Sequence, residues 1–340
     1  MADTVRTGAQ APAVDRLSLA RLLRAREAGV FIALLVLCLF LSLATDSFLT
    51  SLNLLNVGRQ VSLLGIMAVG MTFVLISGEV DLSVGSTYAM SGLATGMLIV
   101  LGWSLIPALT VGLAVGLAIG LINGVLSTYG RLPSLIATLG MLSVVRGAAL
   151  LMTSGQPVTV NVRKGAVPEV FDTFTAMGQG YLFTIIPMQL VFFIIVAVIA
   201  WIILSYTNFG FRIFAVGGSA KAARVSGISV NKVKIWAFVL MGFLAALAGI
   251  LSMAFLPSGQ AGRTGLGLEL DVIAATIVGG ASLSGGEGTI LGTILGVLII
   301  GVMRNGLVLM GVSPFVQELM IGLVIIIAVG IDKWSSRKAS

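Results

Sequence analysis

Long apolar runs alternate with short polar segments along the chain. A helix that crosses a bilayer needs ~20 mostly apolar residues. Ten runs approach this length, near residues 28–45, 61–77, 84–102, 105–127, 133–153, 187–205, 233–255, 269–284, 288–304 and 315–331. Several of these runs are short or contain polar residues, so the number of predicted helices is given as a range. The pattern predicts an all-α polytopic membrane protein with about ten transmembrane helices (about 8–12), some of them interrupted, over residues 28–331.

Basic residues at the two ends predict on which side of the membrane those ends lie. The N-terminal segment is rich in arginine, with Arg6, Arg16, Arg21, Arg24 and Arg26, and the C-terminal segment holds Lys333, Arg337 and Lys338. Because Lys and Arg are enriched in cytoplasmic segments, we predict a cytosolic N-tail (1–27), a cytosolic C-tail (332–340) and an even number of spans. A cleaved signal peptide has a shorter basic region, so we expect the first span to be retained.

The composition excludes several classes of protein. The chain is 58% hydrophobic and 10% charged, with a mean hydropathy of +1.11, whereas soluble domains carry ~25% charged residues. The net charge of +7 comes from bases beside apolar runs, which indicates membrane topology and no nucleic-acid partner. Histidine is absent and Cys38 is the one cysteine. We therefore expect no disulfide, no metal site, no cofactor and no catalytic residue. The sequence lacks a phosphate-binding loop, so ATP chemistry must belong to another chain.

The loop at residues 206–232 is strongly basic. From Tyr206 to Lys234 the bases are Arg212, Lys221, Arg224, Lys232 and Lys234, and there is no acid. Such a loop is retained in the cytosol.

A short helix is predicted inside this loop. Ser219 is a good N-cap, residues 220–226 can form the helix, and Gly227 can end it. Two helical turns are unstable alone in water. We expect a low-relief surface formed by Ala222, Ala223 and Val225, with Lys221 and Arg224 one turn apart on the other side. This arrangement predicts a surface that docks into a cytosolic partner protein.

Two polar segments interrupt the apolar pattern in similar ways. Residues 77–85 and 279–288 each follow an apolar run, contain x-Leu-Ser-x-Gly and lead into a Gly-rich run, which indicates an internal duplication. Broken helices in corresponding halves mark transport pathways. We expect Ser83 and Ser284 to cap the following helices. Glu79, Asp81 and Glu287 are costly if they face lipid, and an equally weighted alternative is that both segments are solvated loops on the cytosolic side.

Polar residues within or next to the spans are candidates for the solute pathway. Hydroxyl and amide groups suit a neutral polar solute such as a sugar, although hydrogen bonds between helices explain them equally well. The candidates for pathway or gating are Glu79, Asp81, Ser83, Gly85, Ser282, Ser284, Asn123 and Arg146. Two glycine series, Gly112–Gly116–Gly120–Gly124 and Gly292–Gly296, predict close helix packing instead.

With these motifs, the chain resembles a permease subunit of the ribose/galactose/xylose group of bacterial ABC importers, the second carbohydrate-uptake class. The resemblance covers Leu52 to Ile331, and its most specific parts are residues 65–71, 78–85, 217–228 and 279–288. It implies a dimer of permeases, a cytosolic ATPase and a periplasmic sugar-binding protein. It also implies that residues 217–228 are the coupling helix, which contacts the ATPase through Gly217, Gly218, Ser219, Lys221, Ala222, Ala223, Arg224, Gly227 and Ile228. Ser219 stands where Asn is common and Lys221 where Glu is common, which questions the usual salt bridge to the ATPase.

The expected function is therefore translocation of a ribose-, xylose- or galactose-like monosaccharide, delivered by a periplasmic binding protein and driven by a separate ATPase. The expected location is the bacterial inner membrane. The same architecture could carry a nucleoside, a furanosyl signalling molecule or a branched-chain amino acid. An ion-coupled secondary transporter would need a buried coupling acid, for which Glu79 and Asp81 are ambiguous. A membrane enzyme would need a cluster of catalytic groups, which the sequence does not show.

Overall fold

The structure is a computed structural model that describes residues 26–313, 315–317, 319–324, 326 and 330. The predicted C-tail and nearly all of the predicted N-tail lie outside the described residues. In chain order the described α-helices are α1 (Arg26–Ala44), α2 (Ser51–Ile76), α3 (Val84–Val100), α4 (Leu105–Thr128), α5 (Ser134–Thr153), α6 (Pro168–Gln179), α7 (Met188–Tyr206), α8 (Asn208–Gly218), α9 (Ala220–Val225), α10 (Val230–Phe255), α11 (Leu268–Val278) and α12 (Ile290–Leu309). Residues 315–317 and 319–324 are helical as well.

Within the part of the chain that the structure describes, four strands of two residues each lie in the loops between helices. They are β1 (Val158–Thr159), β2 (Tyr181–Leu182), β3 (Ile186–Pro187) and β4 (Ser258–Gly259). Strand β1 pairs antiparallel with β4, and β2 pairs antiparallel with β3. A 3₁₀ turn (Val162–Lys164) follows β1. Because these pairs are so short, the helices alone form the framework of the protein.

Seven helices of the described chain are long and apolar enough to cross a membrane: α1, α2, α4, α5, α7, α10 and α12. The prediction of an all-α polytopic membrane protein is thus confirmed, and the count of ten is not. The run predicted at 84–102 forms the shorter helix α3, and the run at 269–284 is helical only as far as Val278. The run at 315–331 is described only in part.

Helix α2 begins ten residues before the apolar run that predicted it, at Ser51 instead of residue 61. Thr50 caps it by accepting a hydrogen bond from the backbone N–H of Asn53. The side chain of Asn53 exchanges hydrogen bonds with that of Asn305 on α12, at 2.8 and 3.0 Å. Polar residues therefore enter the helix because a neighbouring helix satisfies them.

Helix α2 lies at the centre of the bundle. In its apolar stretch, 83% of the residues are buried, compared with 6% in that of α1. It packs against α10, α12, α7 and α11, and α10 also packs against α3 and α4. Thr289, just before α12, donates a hydrogen bond to Glu27 on α1, so α1 and α12 begin at the same end of the bundle.

Both glycine series lie in close helix contacts, as predicted. A Cβ at Gly116 would lie 2.3 Å from the carbonyl oxygen of Gly242 on α10. A Cβ at Gly296 would lie 2.0 Å from the carbonyl oxygen of Ala275 on α11. Since real Cβ atoms do not approach so closely, α4 packs on α10 and α12 packs on α11 only because these positions lack side chains.

Candidate functional site

The predicted short helix is present as α9, with the N-cap and the terminal glycine that the sequence predicts. The hydroxyl of Ser219 accepts a hydrogen bond from the backbone N–H of Ala222 (3.2 Å), so Ser219 is the N-cap. Gly227 has φ +80° and its N–H donates to the carbonyl of Arg224 (3.1 Å). The left-handed conformation at Gly227 is one that glycine adopts without strain. The helix ends at Val225, one residue earlier than predicted.

The exposed face of α9 differs from the predicted one. Ala223 is 4% exposed and belongs to the hydrophobic core, whereas Val225 is 85% exposed. Lys221, Ala222 and Arg224 are exposed. The expected surface of Ala222, Ala223 and Val225 is therefore wrong, because so short a helix needs one side chain to anchor it to the protein. We call Lys221, Ala222, Arg224 and Val225 the exposed patch.

Just before α9 begins, backbone segments from three parts of the chain contact each other without intervening side chains. A Cβ at Gly217 would lie 1.7 Å from the carbonyl oxygen of Ile76 and 2.5 Å from the nitrogen of Gly286. The N–H of Gly286 donates to that same carbonyl of Ile76 (2.9 Å). A Cβ at Gly285 would lie 2.9 Å from the carbonyl oxygen of Gly217. We call Ile76, Gly217, Gly285 and Gly286 the glycine junction, and it joins the end of α8 to both broken segments.

The first broken segment is folded around a buried acid. Asp81 is 2% exposed. Its Oδ1 accepts hydrogen bonds from the backbone N–H (2.8 Å) and the hydroxyl (2.7 Å) of Ser83. The Nδ2 of Asn123 on α4 donates to the hydroxyl of Ser83 (2.8 Å) and to Asp81 Oδ2 (3.3 Å). Burial raises the pKa of Asp81, although these hydrogen bonds act to lower it.

This network corrects two expectations. Asp81 is buried and hydrogen-bonded, so it is not the solvated loop acid of the alternative reading. Ser83 precedes α3, yet its side chain makes no cap hydrogen bond to the helix, because the hydroxyl donates to Asp81 and accepts from Asn123 instead.

Neighbouring helices hold the rest of the first segment. The backbone N–H of Val80 donates to the hydroxyl of Ser134 (3.2 Å), and that of Leu82 donates to the hydroxyl of Thr138 (3.0 Å), both on α5. Glu79 forms an ion pair with Lys234 on α10. These partners are far away in the sequence, and no local signal identified them. The segment is thus fixed by α4, α5 and α10 together.

The end of the first segment contacts the loop that precedes α11. A Cβ at Gly85 would lie 2.3 Å from the carbonyl oxygen of Gly265 and 2.4 Å from Oε2 of Glu269. Arg146, on α5, donates from Nη1 to the carbonyl oxygens of Ala261 (2.8 Å) and Thr264 in the same loop. Gly85 and Arg146 therefore position the start of α11.

The second broken segment makes its own turn. Ser282 is buried, and its backbone N–H donates to the carbonyl of Glu287 (3.1 Å). The Oγ of Ser282 accepts from the N–H of Ser284 (3.2 Å). The expected cap role of Ser284 is wrong, because α12 starts only at Ile290. Thr289 is the cap and accepts from the N–H of Gly292 (2.9 Å), and its place directly before the apolar run is the signal that could have found it.

Two basic grooves flank the loop that follows α9. One, of about 700 Å³, is lined in part by Arg131, Arg224 and Lys232. The other, of about 480 Å³, is lined in part by Arg212, Lys232 and Trp236. Among the described residues no acid lines either groove, so both grooves carry a positive charge. Within the described residues, no group of three or more His, Cys, Asp or Glu side chains could hold a metal ion.

Comparison with known proteins agrees with this architecture. The family model described as "Branched-chain amino acid transport system / permease component" matches residues 53–329. The chain is 45% identical, over 92% of its length and 94% of the relative, to the ribose import permease protein RbsC of Bacillus subtilis (strain 168). It is 42% identical to RbsC of Escherichia coli (strain K12), over 90% of the chain and 93% of the relative. It is 37% identical to the L-arabinose ABC transporter permease protein AraH of Azospirillum brasilense, over 91% of the chain and 88% of the relative. No solved structure matches the chain.

The matched region and the motifs coincide. Both broken segments, the glycine junction and α9 all lie inside residues 53–329. The resemblance inferred from the sequence motifs is confirmed by relatives of this identity and coverage. The chain therefore belongs to the family of permease components of the branched-chain amino acid transport system type.

Proposed function

We propose that this chain is the membrane-spanning permease subunit of an ATP-driven importer for a monosaccharide, with ribose as the first candidate. The solute class is supported by the relatives, which are named as ribose and L-arabinose permeases. The coupling mechanism is carried by one observation: the exposed helix α9 stands directly on the glycine junction, where both broken segments meet.

In this proposal a separate cytosolic ATPase binds α9. The exposed patch inserts into a cleft of the ATPase, and the two basic grooves receive acidic residues around that cleft. Lys221, where related coupling helices carry an acid, is then paired with an acid of its own ATPase. Hydrolysis of ATP takes place on the partner, and the permease forms no covalent bond.

Movement of α9 reaches the spans by two routes. The glycine junction transmits it to the end of α2 and to residues 279–288 by backbone contact. The ion pair between Lys234 and Glu79 transmits it from α10 to the first broken segment. Close-packed backbone cannot deform continuously, so a shift of α9 changes the population of inward-open and outward-open bundles.

We assign the α9 end of the bundle to the cytosol, and the positive charge of its loop and of both grooves supports this assignment. Helix α1 begins at this same end, which supports a cytosolic N-terminus, and we assign the C-terminus to the same side. The opposite end, which contains the β1–β4 pair, receives the periplasmic binding protein. A second copy of the permease completes the assembly in the bacterial inner membrane.

A second candidate solute is a branched-chain amino acid, because the family model is described by that transport system. A nucleoside or a furanosyl signalling molecule fits the same architecture. Ion-coupled transport is less well supported, because Asp81 accepts hydrogen bonds from Ser83 and Asn123 and Glu79 is paired with Lys234.

The test starts with affinity purification of the tagged chain from its host membrane, together with the ATPase and binding protein that co-purify. The complex is reconstituted in proteoliposomes, and uptake of radiolabelled D-ribose, L-arabinose and L-leucine is measured with ATP and with a non-hydrolysable analogue. We expect ATP-dependent ribose uptake and no leucine uptake. Uptake that proceeds without ATP would contradict the coupling mechanism, and leucine uptake without ribose uptake would contradict the solute class.

A further inference from the structure

A cavity of about 220 Å³ lies inside the bundle between α2, α3, α11 and α12. Its polar wall consists of Gln60, Tyr88, Asp271 and Arg304. At ~1.5 Å per residue, Gln60 lies ~24 Å from Ile76 along α2, and Arg304 lies ~21 Å from the start of α12. The hydrocarbon layer is ~30 Å thick. The cavity therefore lies within the membrane-spanning part of the protein, in the half away from the glycine junction.

The four helices around the cavity flank the two broken segments. Helices α2 and α3 precede and follow residues 77–85, and helices α11 and α12 precede and follow residues 279–288. Each half of the internal duplication thus supplies two walls. Transporters built from internal repeats bind their solute at the interface between repeats, near the middle of the membrane. A shift of either segment at the glycine junction would move a wall of this cavity.

An ion pair forms the charged part of the wall. Nη2 of Arg304 donates to both carboxylate oxygens of Asp271, at 2.7 and 2.8 Å. The side chain of Asp271 is 6% exposed, whereas that of Arg304 is 42% exposed. Charged side chains inside a membrane are costly, and they occur there in pairs or beside a pathway. If the pair served packing alone, both side chains would be buried. Here the side chain of Arg304 is exposed to the cavity side of the pair.

The wall retains capacity for further hydrogen bonds. Both bonds to Asp271 leave from one nitrogen of Arg304, which has five N–H donors in all. Its Nε is buried and has no hydrogen-bond partner among the described residues. The exposed amide of Gln60 offers both a donor and an acceptor. The hydroxyl of Tyr88 is hydrogen-bonded to Ser252, so its ring is left as a flat apolar wall.

We propose that this cavity binds the neutral polyhydroxylated solute, a monosaccharide, on its way through the permease. Asp271 and Arg304 balance each other's charge, so a charged solute would leave an unbalanced charge inside the membrane. Sugar hydroxyls both donate and accept, which matches the free donors of Arg304 and the amide of Gln60. Pockets for drug-sized ligands measure roughly 300–1,000 Å³, so this smaller cavity suits a single sugar ring.

This inference rests on the proposed import function and adds the place where the solute contacts the permease. Two variants test it in the reconstituted complex of permease, ATPase and binding protein. Gln60→Leu removes the amide at nearly constant size, and Arg304→Lys keeps the charge beside Asp271 but removes the planar donors. Ser143→Ala, which removes a polar group from an exposed position in the middle of α5, is the control.

We expect the maximal rate of D-ribose uptake to fall at least tenfold in Gln60→Leu and Arg304→Lys. Binding of the ribose-loaded binding protein should stay unchanged, and Ser143→Ala should match the original protein. Wild-type uptake rates in both variants would overturn the cavity as a solute site. If the unaltered complex itself does not import ribose, the proposed function fails, and the two failures are thereby distinguished.

A second measurement does not depend on the stability of the arginine variant. The variant Leu63→Cys, in the apolar wall of the same cavity, is made in a Cys38→Ser background, and modification of its thiol by a small methanethiosulfonate reagent is timed in the same complex. We expect D-ribose to slow the modification several-fold and L-leucine to leave it unchanged. Equal modification rates with and without ribose, or protection by leucine alone, would refute a sugar site in this cavity.

Discussion

Replacement of Gly217 by alanine tests the glycine junction directly. The new Cβ would lie 1.7 Å from the carbonyl oxygen of Ile76 and 2.5 Å from the nitrogen of Gly286. Both neighbours are backbone atoms, which cannot turn away as a flexible side chain can. The adjacent Gly218 is the matched control, because a Cβ there meets nothing within 4 Å.

The magnitude follows from two contributions. Overpacking of a tightly packed site costs ~1–3 kcal/mol. Separation of the segments also breaks the hydrogen bond from Gly286 to Ile76 (2.9 Å), which is worth ~0.5–1.5 kcal/mol. The junction in Gly217→Ala should thus be weakened by ~2–4 kcal/mol. Gly218→Ala instead gains up to ~1 kcal/mol of helix propensity.

The assay compares transport with ATP hydrolysis in the reconstituted complex. We expect Gly217→Ala to retain ATPase binding, since the exposed patch of α9 is untouched, while ribose uptake per ATP hydrolysed falls at least tenfold. Gly218→Ala should retain normal coupling. Equal coupling ratios in the two variants would refute the idea that movement of α9 passes through backbone contact at Gly217.

Three further predictions address the residues around the junction. Val225→Glu should leave the melting temperature unchanged, because the side chain is 85% exposed, but should abolish co-purification of the ATPase; normal co-purification would contradict the docking role. Asp81→Asn should lower the melting temperature and slow uptake, since loss of one acceptor leaves a buried donor unpaired at ~1–3 kcal/mol; the same change at the exposed Asp172 should have no effect, and equal melting curves would argue against the network. Glu79→Lys and Lys234→Glu should each impair uptake, and the double exchange should restore part of it; additive losses in a double-mutant cycle would exclude coupling between the pair.

Local features of the sequence were sufficient for most of the long apolar helices and for α9. A chain in lipid must satisfy its backbone hydrogen bonds within each span, so an apolar run of adequate length predicts a helix wherever it lies. The caps of α9 are equally local, because Ser219 and Gly227 act on backbone within three residues. The close packing at the glycine series of α4 could be predicted because its spacing places every member on one face of the helix.

Tertiary structure alone decided which way side chains face and which groups pair. Ala223 faces the core and anchors α9, although the sequence predicted it on the low-relief outer surface. The burial of Asp81 depends on Asn123, and the cavity depends on Arg304 meeting Asp271. Each of these contacts joins residues from different helices, and the packing of helices is set by shape and hydrogen bonding across the whole bundle. The sequence therefore determined most of the long apolar helices, and the packed bundle determined which polar groups became a site.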